Sequence, residues 1–240
     1  MNGASLRYLD ERLTREKEYW LQKLSGDLII TGIPSDYSRP AAWRNGKAVI
    51  DIKIDSDNQS RLQNVCGGKD PLIFTVLVAA LKIVLHKYTG SEDIIVGTTV
   101  QRSYKEPASL NHVLALRDRV SGSLRIRDLL ENVRQTVFES YANQKYPFRR
   151  LLELLNIELP SDRAPLFNVM IVIDSIHNRE NIRDLKQDLT LSFSTSGGGL
   201  SGVVEFSPTL FRRETIEVFV GHYKRVLHAV LSCPDVAITG

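Results

Sequence analysis

From Pro71 to Leu85 the chain reads PLIFTVLVAALKIVL, apolar at almost every position except Thr75 and Lys82. A helix that is apolar all round must be surrounded on all sides, by protein or by lipid. The run stops short of the roughly 18 residues a membrane span needs, and it carries a lysine. It is therefore expected at the centre of a folded domain. Asp70 reads as its N-cap, with Pro71 in the first helical position and an end near Tyr88.

The remaining segments must supply layers around that helix. Residues 5–24 read as a helix with Leu9, Leu13, Trp20 and Leu24 on one face, stopped at Gly26. KAVIDIKID alternates like a strand, with Val49, Ile52 and Ile54 as its apolar members. SDNQSRLQNV is a short helix closed by Gly67-Gly68, and EDIIVGTTV and HVLALRDRV read as buried strands. Ser123 is expected to cap a helix from about Arg125 to Ala142, with a stripe of Ile126, Leu129, Leu130, Val133, Val137 and Phe138. In NQKYPFRRLL, Pro147 ends that region and starts a short helix to Leu155. LFNVMIVID is a buried strand, DLTLSFSTS and LSGVVEFSP form a hairpin, and Glu214–Leu231 is a last helix. Helices interleaved with strands, then a hairpin, give a mixed sheet covered by helices, an α/β sandwich.

A net charge of +3 and no long basic block argue against nucleic acid or an anionic membrane as partner. Cys66 and Cys233 are too few and too far apart for a disulfide framework, so reduced thiols are expected. The start, MNGASLRYLDERL, has no apolar core of a secretory signal, and a cytoplasmic protein is expected. His86, His112, His177, His222 and His228 show no metal-ligand spacing, and His222 and His228 should point to different sides of the last helix. GGKD at Gly67 lacks the features of a phosphate loop, and the Gly197–Gly199 run precedes a strand rather than a helix. His112 stands at a strand end, where an imidazole can serve as a general base, but no acid or nucleophile is predictable beside it.

Several segments, in order, resemble the C-terminal half of a condensation domain from a non-ribosomal peptide synthetase. They are YWLQKLSG, PSDYSRP, FTVLVAALKIVLHKYTGSEDIIVGT, NQKYPF, SDRAPLFNVMIVID and LTLSFSTSGGGLSGVVEFSPTLF. Asn143-Gln144-x-Tyr146-Pro147-Phe148 is similar to the family's (His/Asn)-Gln-Asp-Tyr-Pro-Phe motif, and Asp162-Arg163-Ala164-Pro165-Leu166-Phe167 to its Ser-Arg-Asn-Pro-Leu-Phe motif.

The resemblance implies one lobe of a chloramphenicol-acetyltransferase-like fold, with its partner lobe across a tunnel that carrier-protein arms enter from two sides. The family's His-His-x-x-x-Asp-Gly motif belongs to the other lobe, and neither His-His nor Asp-Gly occurs here. The stretch ASLNHVLALR departs from the family's Gly-x-Phe-Val-Asn-Thr run: His112 and Val113 replace Asn-Thr, while Arg117 matches its arginine. A truncated condensation domain is thus expected, with a linker helix in residues 1–30, the lobe in 31–235, and 236–240 opening a linker. No catalytic residue, metal or cofactor is assigned. An adenylation domain and carrier protein downstream, and a partner lobe or second copy, are the implied partners. His112, Arg117, Asn143, Gln144 and Arg163 are candidates for a former tunnel wall or a partner-facing surface. The first reading of Asn143-Gln144 is a plain helix corner, and of Arg163 a loop tie. Tyr146, Pro147, Phe148, Asp162, Pro165, Leu166 and Phe167 are taken as structural.

Overall fold

The computed structural model describes residues 11, 13–43, 46–102, 112–182, 185–195 and 199–239. In chain order the elements are α1 (Thr14–Lys23), β1 (Ala48–Lys53), α2 (Ser56–Cys66), α3 (Asp70–Thr89), β2 (Asp93–Thr99) and β3 (Val113–Arg119). There follow α4 (Ile126–Ala142), α5 (Phe148–Leu154), β4 (Val169–Ile173), a 3-10 turn (Arg179–Ile182), β5 (Leu189–Ser194), β6 (Ser201–Phe206) and α6 (Arg213–Ser232). The strands form one mixed sheet in the order β1-β6-β5-β4-β2-β3. β4 runs parallel to β2 and β5, and the other neighbours are antiparallel.

The apolar run is the core of the fold. α3 is long and apolar enough in composition to cross a membrane, and it is mostly buried inside the protein. One face of the sheet packs on α3, with α2, α4 and α6 around it, through residues such as Phe74, Leu81, Val96, Ile171, Leu191 and Phe219. Against the other face lie α1 and α5, whose smaller cluster joins Trp20, Tyr146, Leu151, Phe167, Met170 and Val172. The helix-covered mixed sheet expected from the sequence is what forms.

Lys82, within the apolar helix, is completely buried. Its Nζ lies 2.6 Å from Asp118 Oδ2 on β3 and 2.6 Å from the carbonyl of Leu116. Thr136 on α4 donates to the other carboxylate oxygen at 2.5 Å, and Lys23 Nζ donates to Thr136 Oγ1 at 2.8 Å. Burial pushes the Lys82 amine down from its ordinary pKa, and the Asp118 charge opposes that shift.

Local details depart from the sequence reading for identifiable reasons. On β1 and just beyond it the buried residues are Ile50, Ile52 and Ile54, while Val49 is 46% exposed, because the strand alternates from Ile50. Phe138 is 69% exposed: the buried face of α4 continues through Thr136, Val137 and Ser140 instead. Leu130 only borders the core. The N-cap of α3 is Lys69, one residue before Asp70, and Leu9 lies outside the described residues.

Ser123 does not cap α4. The helix begins at Ile126 without a side-chain cap, and the carbonyls of Val236 and Pro234 accept from the N–H groups of Ile126 and Arg127 at 3.1 and 2.8 Å. Residues 236–239, expected to open a linker, are therefore packed on the lobe, with Ile238 buried and its N–H donated to Leu124. The helix expected as a linker, α1, is likewise built into the second core through Trp20.

Candidate functional site

β2, β4 and β5 point the same way, so their carboxyl ends share one rim of the sheet. In open sheets of this kind, ligands favour that rim. Here the chain beyond β2 runs through Val100, Gln101 and Arg102. Val100 donates its N–H to the carbonyl of His112 at 3.3 Å, and Arg102 donates to the carbonyl of Ile176 at 2.9 Å. Gln101 N–H is accepted by Gln144 Oε1 at 2.7 Å. Thus His112 and Gln144, far apart in the chain, meet at one edge. His112 is exposed there.

Asn143 closes the corner from below. It is 5% exposed; its side chain donates to the carbonyl of Glu139 at 2.8 Å, and its own carbonyl accepts from Trp20 Nε1 at 2.9 Å. Pro147, in extended conformation, precedes α5 as its N-cap, so the break in NQKYPF turns the chain from one helix to the next. Tyr146 is buried, and the Phe148 ring lies 5.8 Å from that of Phe167. Leu166, at φ 71°, makes the tight turn that delivers Phe167 against Gly97 of β2. A Cβ on Gly97 would fall 2.2 Å from the Phe167 ring, so only glycine leaves room.

Arg117 and Arg163 are placed elsewhere. Arg117 ends in a clasp at the opposite end of β3. Its guanidinium meets both Asp93 oxygens at 2.9 and 2.7 Å and the carbonyls of Lys23, Ser25 and Asp27 at 3.3, 2.6 and 3.0 Å. This fixes the exit of α1 on the sheet. Arg163 pairs with neighbouring Asp162 at 2.8 Å, and Arg39 reaches across to Asp188 with both terminal nitrogens. The five candidates thus divide into His112, Asn143 and Gln144 at the rim and two arginines away from it. Because lysine keeps the charge but not the planar fork, Arg117→Lys should lose about 1–3 kcal/mol. Limited proteolysis should then cut between Lys23 and Ile30 before the rest of the chain.

A second histidine near the rim, bridged to Gln101, is one to which the sequence assigns no role. His177 is completely buried beyond β4; its Nδ1 accepts the N–H of Ile173 at 2.9 Å, and its Nε2 lies 2.7 Å from the Tyr141 hydroxyl. With Nδ1 accepting, the ring is neutral, its proton on Nε2. Burial pushes its pKa down from 6.5 to about 3. No motif in DSIHN signals this, since the contacts come from α4 and β2.

Below pH 6.5 the unfolded chain takes up a proton that the folded protein refuses until about 3. Stability present above pH 6.5 is therefore lost as pH falls, by about 2 kcal/mol from this group at about pH 5. Urea midpoints measured on either side of that window should show the loss, and His177→Gln should flatten it.

Among the described residues the His112 ring makes no hydrogen bond or ion pair, and those residues contain no cluster of three or more metal-ligating side chains. The rim offers amides, backbone groups and one exposed imidazole.

Among known proteins, the family profile described as Condensation domain matches residues 5–239. Bacitracin synthase 1 of Bacillus licheniformis is 32% identical over 249 residues, covering 95% of this chain and 5% of that protein. Tyrocidine synthase 3 of Brevibacillus parabrevis is 31% identical over 237 residues, covering 91% of this chain and 4% of that protein. Among solved structures, the X-domain in complex with OxyB from teicoplanin biosynthesis superposes with a TM-score of 0.82 at 20% identity, over 96% of this chain and 56% of that one. A four domain nonribosomal peptide synthetase bound to AMP and glycine gives 0.79 at 18% identity, over 93% and 20%. The structural likenesses carry the fold; the chain spans only 4–5% of the length of these two curated relatives.

Proposed function

The chain belongs to the condensation-domain family, and on this footing we propose that the lobe serves peptide assembly as a platform for neighbouring domains and forms no amide bond by itself. The observation that carries this reading is the chemistry of the rim. Amide formation from a thioester needs a positioned amine and help with its proton or with the oxyanion. His177 is buried and neutral, His112 is exposed without a partner group among the described residues, and residues 1–240 contain no His-His pair. The partners of the reading are an adenylation domain, a carrier protein, and a partner lobe or second copy.

Uncovered apolar surface supports a partner. Leu28, Ile30, Ile157, Pro160 and Pro165 line a groove of 350 Å³ with Arg163 on its border, and Ile29 and Leu159 beside it in sequence are 53% and 60% exposed. Contiguous apolar patches on a protein surface mark interaction sites.

The test supplies the purified lobe with an acyl-loaded and an aminoacyl-loaded carrier protein and follows amide product by mass spectrometry. No product is expected from the lobe alone. Turnover by the lobe alone would overturn the proposal, and its loss in His112→Ala would assign the chemistry to His112, as in a homo-oligomeric acyltransferase. Product that appears only when a separate histidine-bearing lobe is added would instead establish a split enzyme completed in trans, a reading favoured by the exposure of His112 and its place at the rim.

A further inference from the structure

The helical layer carries a cleft unrelated to the rim. Elsewhere on the helix surfaces, several arginines pair with acids one turn away, as Arg61 does with Asp57, Arg134 with Glu131 and Arg213 with Glu217. Lys87 and Arg225 are different: neither has an acidic partner among the described residues, and both border one cleft of 520 Å³ between the last turns of α3 and the middle of α6. Val84 and Val226 provide apolar lining, and Tyr88 and His222 complete it. The Tyr88 hydroxyl lies 2.8 Å from His222 Nδ1, and its ring packs edge-on to Phe219 at 5.8 Å. The pair is thereby held in place.

A cleft lined by one sign of charge concentrates counter-ions. Two separate cations beside an imidazole suit a doubly charged headgroup better than a single carboxylate, and the valines and tyrosine ring suit an apolar body next to it. We propose that this cleft binds a phosphate monoester carrying an aryl or short alkyl group. The headgroup sits between Lys87 and Arg225 and the apolar body lies on Val84, Val226 and Tyr88. This assigns His222, which the rim does not use, to a ligand site.

The experiment is an NMR titration of the 240-residue chain with phenyl phosphate, alongside inorganic phosphate, phenylacetate and benzyl alcohol. Phenyl phosphate should give saturable shifts confined to the end of α3 and the middle of α6. Each control, lacking the apolar body, the second charge or all charge, should bind at least about tenfold more weakly. The double variant K87E/R225E should lose binding with an unchanged circular dichroism spectrum. Absence of saturable binding, equal binding of inorganic phosphate, phenylacetate or benzyl alcohol, or undiminished binding by the double variant would overturn the assignment.

Discussion

Lys82→Ala should cost the fold about 3–5 kcal/mol, a large part of the stability of a typical domain. The substitution leaves the Asp118 carboxylate buried with Thr136 as its remaining side-chain donor, and it opens a gap in the centre of α3. An unpaired buried charge is far more costly than the pair is favourable. Replacing both partners together, as in K82M/D118L, should therefore recover most of the loss. Urea denaturation of the two variants decides the matter. A single-variant loss below about 1 kcal/mol, or no recovery in the double variant, would mean that water reaches the pair and that it is not sealed as described.

The second large effect concerns the contact between Phe167 and Gly97. Phe167→Ala should lose about 3–5 kcal/mol, since the ring is buried between Phe148 and the sheet. Gly97→Ala should lose about 1–3 kcal/mol, because the new methyl would meet the ring at 2.2 Å and the Met170 side chain at 2.8 Å. The two should not add. With the ring gone, the methyl at position 97 finds space, so the double variant should be more stable than the sum by about 0.5–3 kcal/mol. Additive losses would show that Gly97 is needed for a reason other than the ring.

These contacts also show which parts of the molecule can be read from its residues. Long periodic segments are legible: α3, α6, the β5–β6 hairpin and the strand at Val169–Ile173 all follow from apolar pattern and flanking turn residues. The Tyr146-Pro147-Phe148 and Leu166-Phe167 segments can be singled out, and they do pack together. What is illegible depends on partners distant in sequence. Phe138 fits an apolar stripe by composition but faces away from the core, because α1 lies against another side of α4, where small polar groups at Thr136 and Ser140 meet Lys23 and Tyr19. Arg117 acts on three carbonyls that no motif encodes, and the cap of α4 comes from residues more than a hundred positions later. His112 and Gln144 can be named separately, while their meeting through Val100 and Gln101 is a property of the sheet.

The pairing of β1 with β6 sets Ala48 beside Phe206 and Lys53 beside Ser201. During synthesis on the ribosome, β1 emerges long before the strand that flanks it. Until about residue 206 has left the exit tunnel, Ile50 and Ile52 have no neighbouring strand to hold them in the core. The lobe must stay unfinished until β6 has been made, exposing an isoleucine-rich segment that chaperones of the nascent chain would be expected to shield.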